Sequence, residues 1–269
     1  QAEDGIRDRS PSRGLGDVYK RQEENWDEID LMVRTFQRAV TNLRQSSIPV
    51  VIAPAGLTLG GGCEICLHGD RIQAAAETYI GLVETGAGLI PAGGGTKELL
   101  YRTMANKFFG ATALLPPVQH VFELIGFGTI STSGPHALQL GFLSETDDIT
   151  MNKDRLLYDA KTAALTMSTK RYRSQAVRQE ILVGGEGIQA SLELGIHLAW
   201  RGQRISDHDA LIGRKLAHVL SGGNLPHARK VSEQHLLDLE REAFLSLCGE
   251  TKTQARMSHI LKTGKPLRN

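Results

Sequence analysis

Two strings of consecutive glycines, Gly60-Gly61-Gly62 and Gly93-Gly94-Gly95, restrict what this chain can become more than any other feature. The first follows the apolar run Ile48-Pro49-Val50-Val51-Ile52-Ala53, which reads as a buried strand, and precedes Cys63 to His68, which reads as a short helix. Glycines between a strand and a helix let the backbone approach a ligand closely and turn its N–H groups toward it. The helix dipole adds partial positive charge at the same place. Such a turn can hold a carbonyl oxygen as it becomes negative. Glu64 lies one turn into that helix, and a second carboxylate, Glu84, follows the next apolar stretch.

The 269 residues allow one large domain or two small ones, with 41% hydrophobic and 23% charged residues. A formal net charge of +1 gives no field suited to nucleic acid or an acidic membrane. No apolar run reaches the ~20 residues of a membrane helix, and no secretory h-region is visible. Cys63, Cys66 and Cys248 are too few for a disulfide framework and suit a reducing compartment, so a cytoplasmic location is expected. Residues 1–22 mix charges of both signs without an apolar period, and Asp4 to Gln22 resembles translated sequencing adapter. This segment is expected to be non-native and disordered, and it is set aside from the fold.

From residue 23 onward the pattern predicts alternating elements. Asn25 and Glu28 suggest a capping box, followed by a helix to about Ser46 with Ile29, Met32, Val33, Phe36, Val40 and Leu43 on one face. Arg71 to Ala75 and Thr78 to Leu82 read as strands, Thr96 to Ala105 and Val118 to Ile125 as helices. Beyond Ser131 the reading is helical: a short helix capped by Ser133, one from Asn152 through Met167, then 188–201, 207–220, 232–248 and 251–263. Residues 172–187 read as a loop. The C-terminal helices fit either a separate subdomain or an arm on a partner subunit.

Neither glycine string fits G-x-x-x-x-G-K-[ST] or G-x-G-x-x-G with a following acid, which excludes phosphate-loop and dinucleotide readings. Cys63 and Cys66, three apart on a helix, read as small packing residues, because no second spaced pair completes a zinc site. Asp207-His208-Asp209 reads as a helix start, its acids capping and complementing the dipole. Glu64 and Glu84, each taken alone, read as solvated surface charges. Their neighbours, Cys63, Ile65, Cys66, Leu82 and Val83, suggest burial beside glycine turns. Two carboxylates in a partly apolar cleft can hold a water and take different protonation states. Spacing alone leaves both readings open.

The strings Ala55-Gly56-x-x-Leu59-Gly60-Gly61-Gly62-Cys63-Glu64 and Gly81-Leu82-x-Glu84-x-Gly86-x-Gly88-Leu89-Ile90-Pro91 closely resemble the crotonase (enoyl-CoA hydratase) superfamily. The helical tail from Ile205 to Asn269 resembles the C-terminal end of bacterial proteins that join a 3-hydroxyacyl-CoA dehydrogenase to a hydratase domain. The resemblance implies an α/β fold, a crotonase-like ββα spiral with a helical C-terminal region. It divides the chain into a core at 23–130, incomplete at its start, and a helical region at 131–269. It implies an acyl-CoA substrate, with Gly61, beside Gly60, lending an N–H to the oxyanion hole. Glu64 and Glu84 would position water for C3 of a trans-2-enoyl-CoA, with Glu84 delivering the proton at C2. The activity implied is syn hydration in fatty-acid β-oxidation. An isomerase, or a non-catalytic assembly module, stands as the alternative. No cofactor or metal is expected in this chain, NAD serving only a dehydrogenase domain elsewhere; a homo-oligomer through the C-terminal helices and a thiolase partner are also implied. Ala92 stands where the family usually has glycine, which is tolerable unless its φ is positive. The family's second oxyanion donor comes from a motif upstream of Asn25.

Overall fold

The computed structural model describes residues 25–105 and 113–269; the expectation for residues 1–22 lies outside them. Helix α1 (Trp26–Arg44) is amphipathic but is not started by the expected capping box, because Asn25 makes no side-chain cap hydrogen bond. Its fully buried stripe is Ile29, Val33, Gln37, Val40 and Arg44, an i, i+4 row that places two polar residues inward while Phe36 and Leu43 stay only partly covered.

Strands β1 (Val51–Ile52) and β2 (Gly56–Leu59) precede α2 (Gly61–Leu67), and β3 (Arg71–Ala75) and β4 (Thr78–Gly81) follow it. β3 lies parallel to β1, pairing Ile52 with Ile72, and β4 lies parallel to β2, pairing Leu59 with Gly81. One ββα unit therefore stacks its two strands on the two strands of the next, which is a step of a spiral. β5 (Asp148–Thr150) extends the first ladder beyond β3. The expected buried strand at 48–53 is shorter than the apolar run: only β1 pairs, and Ile48 is exposed.

A 3₁₀ turn, Glu84–Ala87, leads to α3 (Gly95–Ala105) and, past residue 112, to α4 (Leu115–Gly126) and α5 (Gly134–Leu140). Ser133 caps α5 as expected, accepting from the His136 N–H. Then come α6 (Leu156–Thr169), β6 (Ile181–Val183), α7 (Gly185–Arg201), α8 (Asp207–Leu220), β7 (Arg229–Val231), α9 (Glu233–Cys248) and α10 (Thr251–Thr263). The antiparallel β6–β7 pair falls partly in the stretch read as a loop, since three-residue strands carry too little pattern to be seen. Ser206 opens α8 through a true capping box with Asp209.

One cluster of buried apolar side chains runs from Ile29 and Val33 of α1 through Cys63, Leu67, Ile72, Ile80 and Leu99 to Leu216, Leu236, Leu247 and Met257. Cys63 and Cys66 belong to it as packing residues. No helix among the described residues is long and apolar enough to cross a membrane.

Candidate active site

The pairing of β2 with β4 brings the end of each strand, and the glutamate that follows it, to the same edge of the spiral. Gly60 links β2 to α2 with φ +55°, and its N–H donates to the Gly81 carbonyl at 2.9 Å. That bond removes Gly60 as a free donor to a substrate. Its role is steric: a Cβ there would come within 3.2 Å of Glu84 Oε1. The Gly61 N–H, by contrast, is the first of α2 and has no carbonyl one turn back within the helix. The Phe36 ring of α1 covers the other side of Gly61, 3.5 Å from where a Cβ would stand.

Glu64 is 3% exposed. Its Oε1 accepts the N–H groups of Gly93 (2.8 Å) and Gly95 (2.9 Å), both from the second glycine string. A Cβ at Gly93 would meet Phe36 Cε1 at 2.3 Å and Glu64 Oε2 at 2.6 Å, and one at Gly95 would meet Glu64 Cγ at 2.8 Å. The second string is therefore glycine so that a carboxylate can touch the backbone. Ala92 does not have a positive φ, so its methyl group is accommodated where the family usually has glycine.

Glu84 begins the 3₁₀ turn that leaves β4. The residue is only partly covered, yet its Oε2 is fully buried without a hydrogen-bond partner. Such an orphaned oxygen costs free energy and marks a position where a ligand or water belongs. Burial pushes Glu64 up to about 7, against the opposing pull of the Gly95 and Gly93 N–H groups and the Lys97 charge. Burial, and then the Glu64 charge, push Glu84 up to about 8. Near neutrality the pair therefore holds a proton that solvated carboxylates would have lost. Glu64, with two donors on one oxygen, is the better anion, and Glu84 the better acid.

Sequence reasoning missed the groups that hold these turns. Thr253 and Arg256 of α10 bind the Glu84 turn: Thr253 Oγ1 donates to Gly88 O (2.8 Å) and Arg256 Nη1 to Thr85 O (3.2 Å). Arg256 is itself held by Asp209 at 2.7 Å, while His208 reaches Thr253 Oγ1 at 2.9 Å. His208 and Asp209 thus anchor α10 as well as starting a helix, while Asp207 accepts from Trp200 Nε1. Behind Glu64, His68 Nδ1–H donates to the Glu64 carbonyl (2.7 Å), leaving Nε2 to accept from Lys97 Nζ (3.1 Å). Burial, with the Lys97 charge, pushes His68 down to about 3, so it is neutral. Lys97 also binds Glu98 (3.1 Å) and Glu233 (2.5 Å), and Arg44 reaches both carboxylates. Only the burial of Gln37, Arg44 and Glu240 on otherwise apolar helix faces could have signalled this layer from the sequence.

Two surface cavities of about 600 and 500 Å³ lie along α7 and α8, lined by residues such as Trp200, Asp207 and Arg214. None of the four predicted site residues lines either one.

The ββα spiral sets the buried Glu64 and the partly covered Glu84 beside glycine turns at one edge. Residues 7–137 match the family model described as enoyl-CoA hydratase/isomerase, and the chain belongs to that family. It is 46% identical over 248 residues to a Bacillus subtilis protein named as a 3-hydroxyacyl-CoA dehydrogenase, covering 92% of this chain and 31% of that protein. It is 25% identical over 241 residues to a Rickettsia felis protein named as a fatty acid oxidation complex trifunctional enzyme, covering 90% of this chain and 30% of that one. The chain therefore spans about a third of the length of these relatives. An enoyl-CoA hydratase structure from Rhodobacter sphaeroides shares the fold, with a TM-score of 0.59 at 17% identity over 94% of this chain and 72% of the other.

Proposed function

We propose that this chain is the enoyl-CoA hydratase part of a longer protein of fatty-acid β-oxidation that carries 3-hydroxyacyl-CoA dehydrogenase activity elsewhere. The observation that carries the reading is the buried, unpartnered Oε2 of Glu84, on a carboxyl close enough to Glu64 to feel its charge. In this reading the thioester oxygen of a trans-2-enoyl-CoA sits at the Gly61 N–H, where the start of α2 favours negative charge. Polarisation makes C3 electrophilic. A water between the carboxylates gives a proton to Glu64 and its hydroxyl to C3, while Glu84 delivers its own proton to C2 on the same face. The proton gained by Glu64 and the one lost by Glu84 balance, and the pair exchanges them before the next turnover. The raised affinities of both groups for protons suit this exchange near neutral pH. Association with further copies through the C-terminal helices, and with a thiolase, belongs to the same proposal.

The test is loss of the conjugated enoyl-thioester absorbance when the full chain meets a short trans-2-enoyl-CoA. Glu84→Gln should lower kcat at least ~10²-fold with acyl-CoA binding retained. Undiminished turnover in that variant would remove the carboxylate pair from the mechanism.

A further inference from the structure

Glu240 lies on the apolar face of α9, among Leu236, Leu237, Ala243, Phe244 and Leu247, and is fully buried. Its Oε2 accepts the Gly94 N–H at 2.8 Å and its Oε1 the Lys97 N–H at 2.6 Å. These are among the N–H groups at the start of α3 that have no partner within the helix. The neighbouring N–H groups, Gly93 and Gly95, go to Glu64 Oε1 instead. The turn is thus held from both sides by carboxylates: adjacent amides point in alternate directions, with Gly94 at φ +100° making the alternation possible. A second tie joins the same two elements, because Gln37 Nε2 donates to both Ala92 O and Leu237 O at 2.8 Å.

We propose that Glu240 is a positioning residue for Glu64: by fixing the Gly94 and Lys97 N–H groups it aims those of Gly93 and Gly95 at Glu64 Oε1. The inference rests on the reading of Glu64 as a reacting carboxylate. Glu240 touches neither substrate nor water in this role; it sets the geometry of the anion that does. A carboxylate fits the task because each oxygen accepts one N–H, whereas a glutamine would turn its NH₂ against one of the two donors.

The titratable groups facing Glu64 are Glu84 from the 3₁₀ turn, Lys97 from α3, Cys63 on its own helix, His68 at the end of that helix, and Glu240 from α9. Burial, and then the Glu64 charge, push Glu240 well up. Glu240 does not itself push Glu64 up, so losing only the Glu240 charge would leave the Glu64 pKa where it is or lower it. Losing the two N–H donors on Oε1 would raise it. The direction of the shift therefore separates a positioning role from a mere charge neighbour.

The experiment uses the full chain with carboxyl-¹³C glutamate. Glu64 is titrated by NMR, its resonance identified by its absence in Glu64→Gln, in the wild type, Glu240→Gln and Asp238→Asn. Asp238 is a half-exposed residue of the same helix paired with Arg241. Amide exchange at Gly94 and Lys97, and kcat and KM with a short trans-2-enoyl-CoA, are read alongside. In Glu240→Gln both amides should exchange faster and Glu64 should titrate about one unit higher. The same variant should lose roughly 10- to 100-fold in kcat with KM changed less than threefold, and Asp238→Asn should match the wild type. Faster amide exchange with Glu64 unmoved or shifted down would make Glu240 a helix cap only and overturn the assignment. Loss of folding in both Glu240→Gln and Glu240→Asp would overturn it equally. If the wild type fails to hydrate the substrate, the hydratase reading falls, while the Glu64 titration still decides the positioning role.

Discussion

At the scale of single residues, the site stores an electrostatic cost. Glu84 ionises near pH 4.5 when unfolded, but in the folded protein burial and Glu64 hold it up to about 8. Between those values the folded chain keeps a proton that the unfolded chain has released. The Glu84 contribution to stability therefore falls as pH rises across this window and is most unfavourable above pH 8. Glu84→Gln removes the ionisation, so the variant should unfold at higher urea than the wild type at pH 8.5, by on the order of 2 kcal/mol once coupling to Glu64 is allowed for. The two should converge at pH 4.5. Equal stability at pH 8.5 would show that the Glu84 carboxyl is solvated after all. Glu64, Glu84 and both glycine strings were legible from the sequence because each motif is contiguous. Glu240 and Gln37 were not: their partners lie 146 and 200 residues away, and a polar residue on an apolar helix face looks like an interruption of the pattern.

At the scale of elements, the buried ion cluster ties α1, α3 and α9 together. Lys97, fully buried, places Nζ among His68, Glu98 and Glu233, and Arg178 adds a further bond to Glu98 at 2.6 Å while stacking on the Tyr101 ring. Lys97, His68 and Arg178 hold Glu98 well below its ordinary range against the effect of burial, and Lys97 and Arg44 likewise bring Glu233 to about 2. A depressed carboxylate gives stability that is complete above pH 4.5 and lost as pH falls through its folded value, so this cluster should fail between about pH 4.5 and 2. Lys97→Met leaves buried carboxylates short of a cation and should cost about 3–5 kcal/mol in urea unfolding at pH 7. A loss under 1 kcal/mol would mean that Arg44 and Arg178 suffice alone. Helices α8, α9 and α10 were legible almost to the residue because each carries a clear start signal or an apolar period. The strands β2, β5, β6 and β7 were missed because short ladders of three or four residues to distant partners create them.

At the scale of the whole molecule, the sequence left open whether the C-terminal helices form an arm or a subdomain. The fold gives them interior work. Leu236, Phe244, Leu247 and Met257 lie in the same apolar cluster as Ile72 and Leu99. Glu240 holds the turn at Gly94, and Thr253 and Arg256 hold the turn at Glu84. Both carboxylates of the proposed site are thus set by backbone that α9 and α10 secure. An arm could be removed with the body intact, whereas these helices could not. Deletion of 232–269 would take Leu236, Phe244, Leu247 and Met257 out of the apolar cluster and strip partners from the Gly94 and Lys97 N–H groups and the Gly88 carbonyl. Unpaired backbone and uncovered apolar surface together exceed the margin by which such domains are stable. The truncated chain should therefore bind a hydrophobic dye and lose the sigmoidal thermal transition, with weakened near-ultraviolet circular dichroism and largely retained far-ultraviolet signal. A truncated chain that still melts cooperatively near the wild-type temperature, changed only in its mass by size exclusion, would return these helices to the role of an assembly arm.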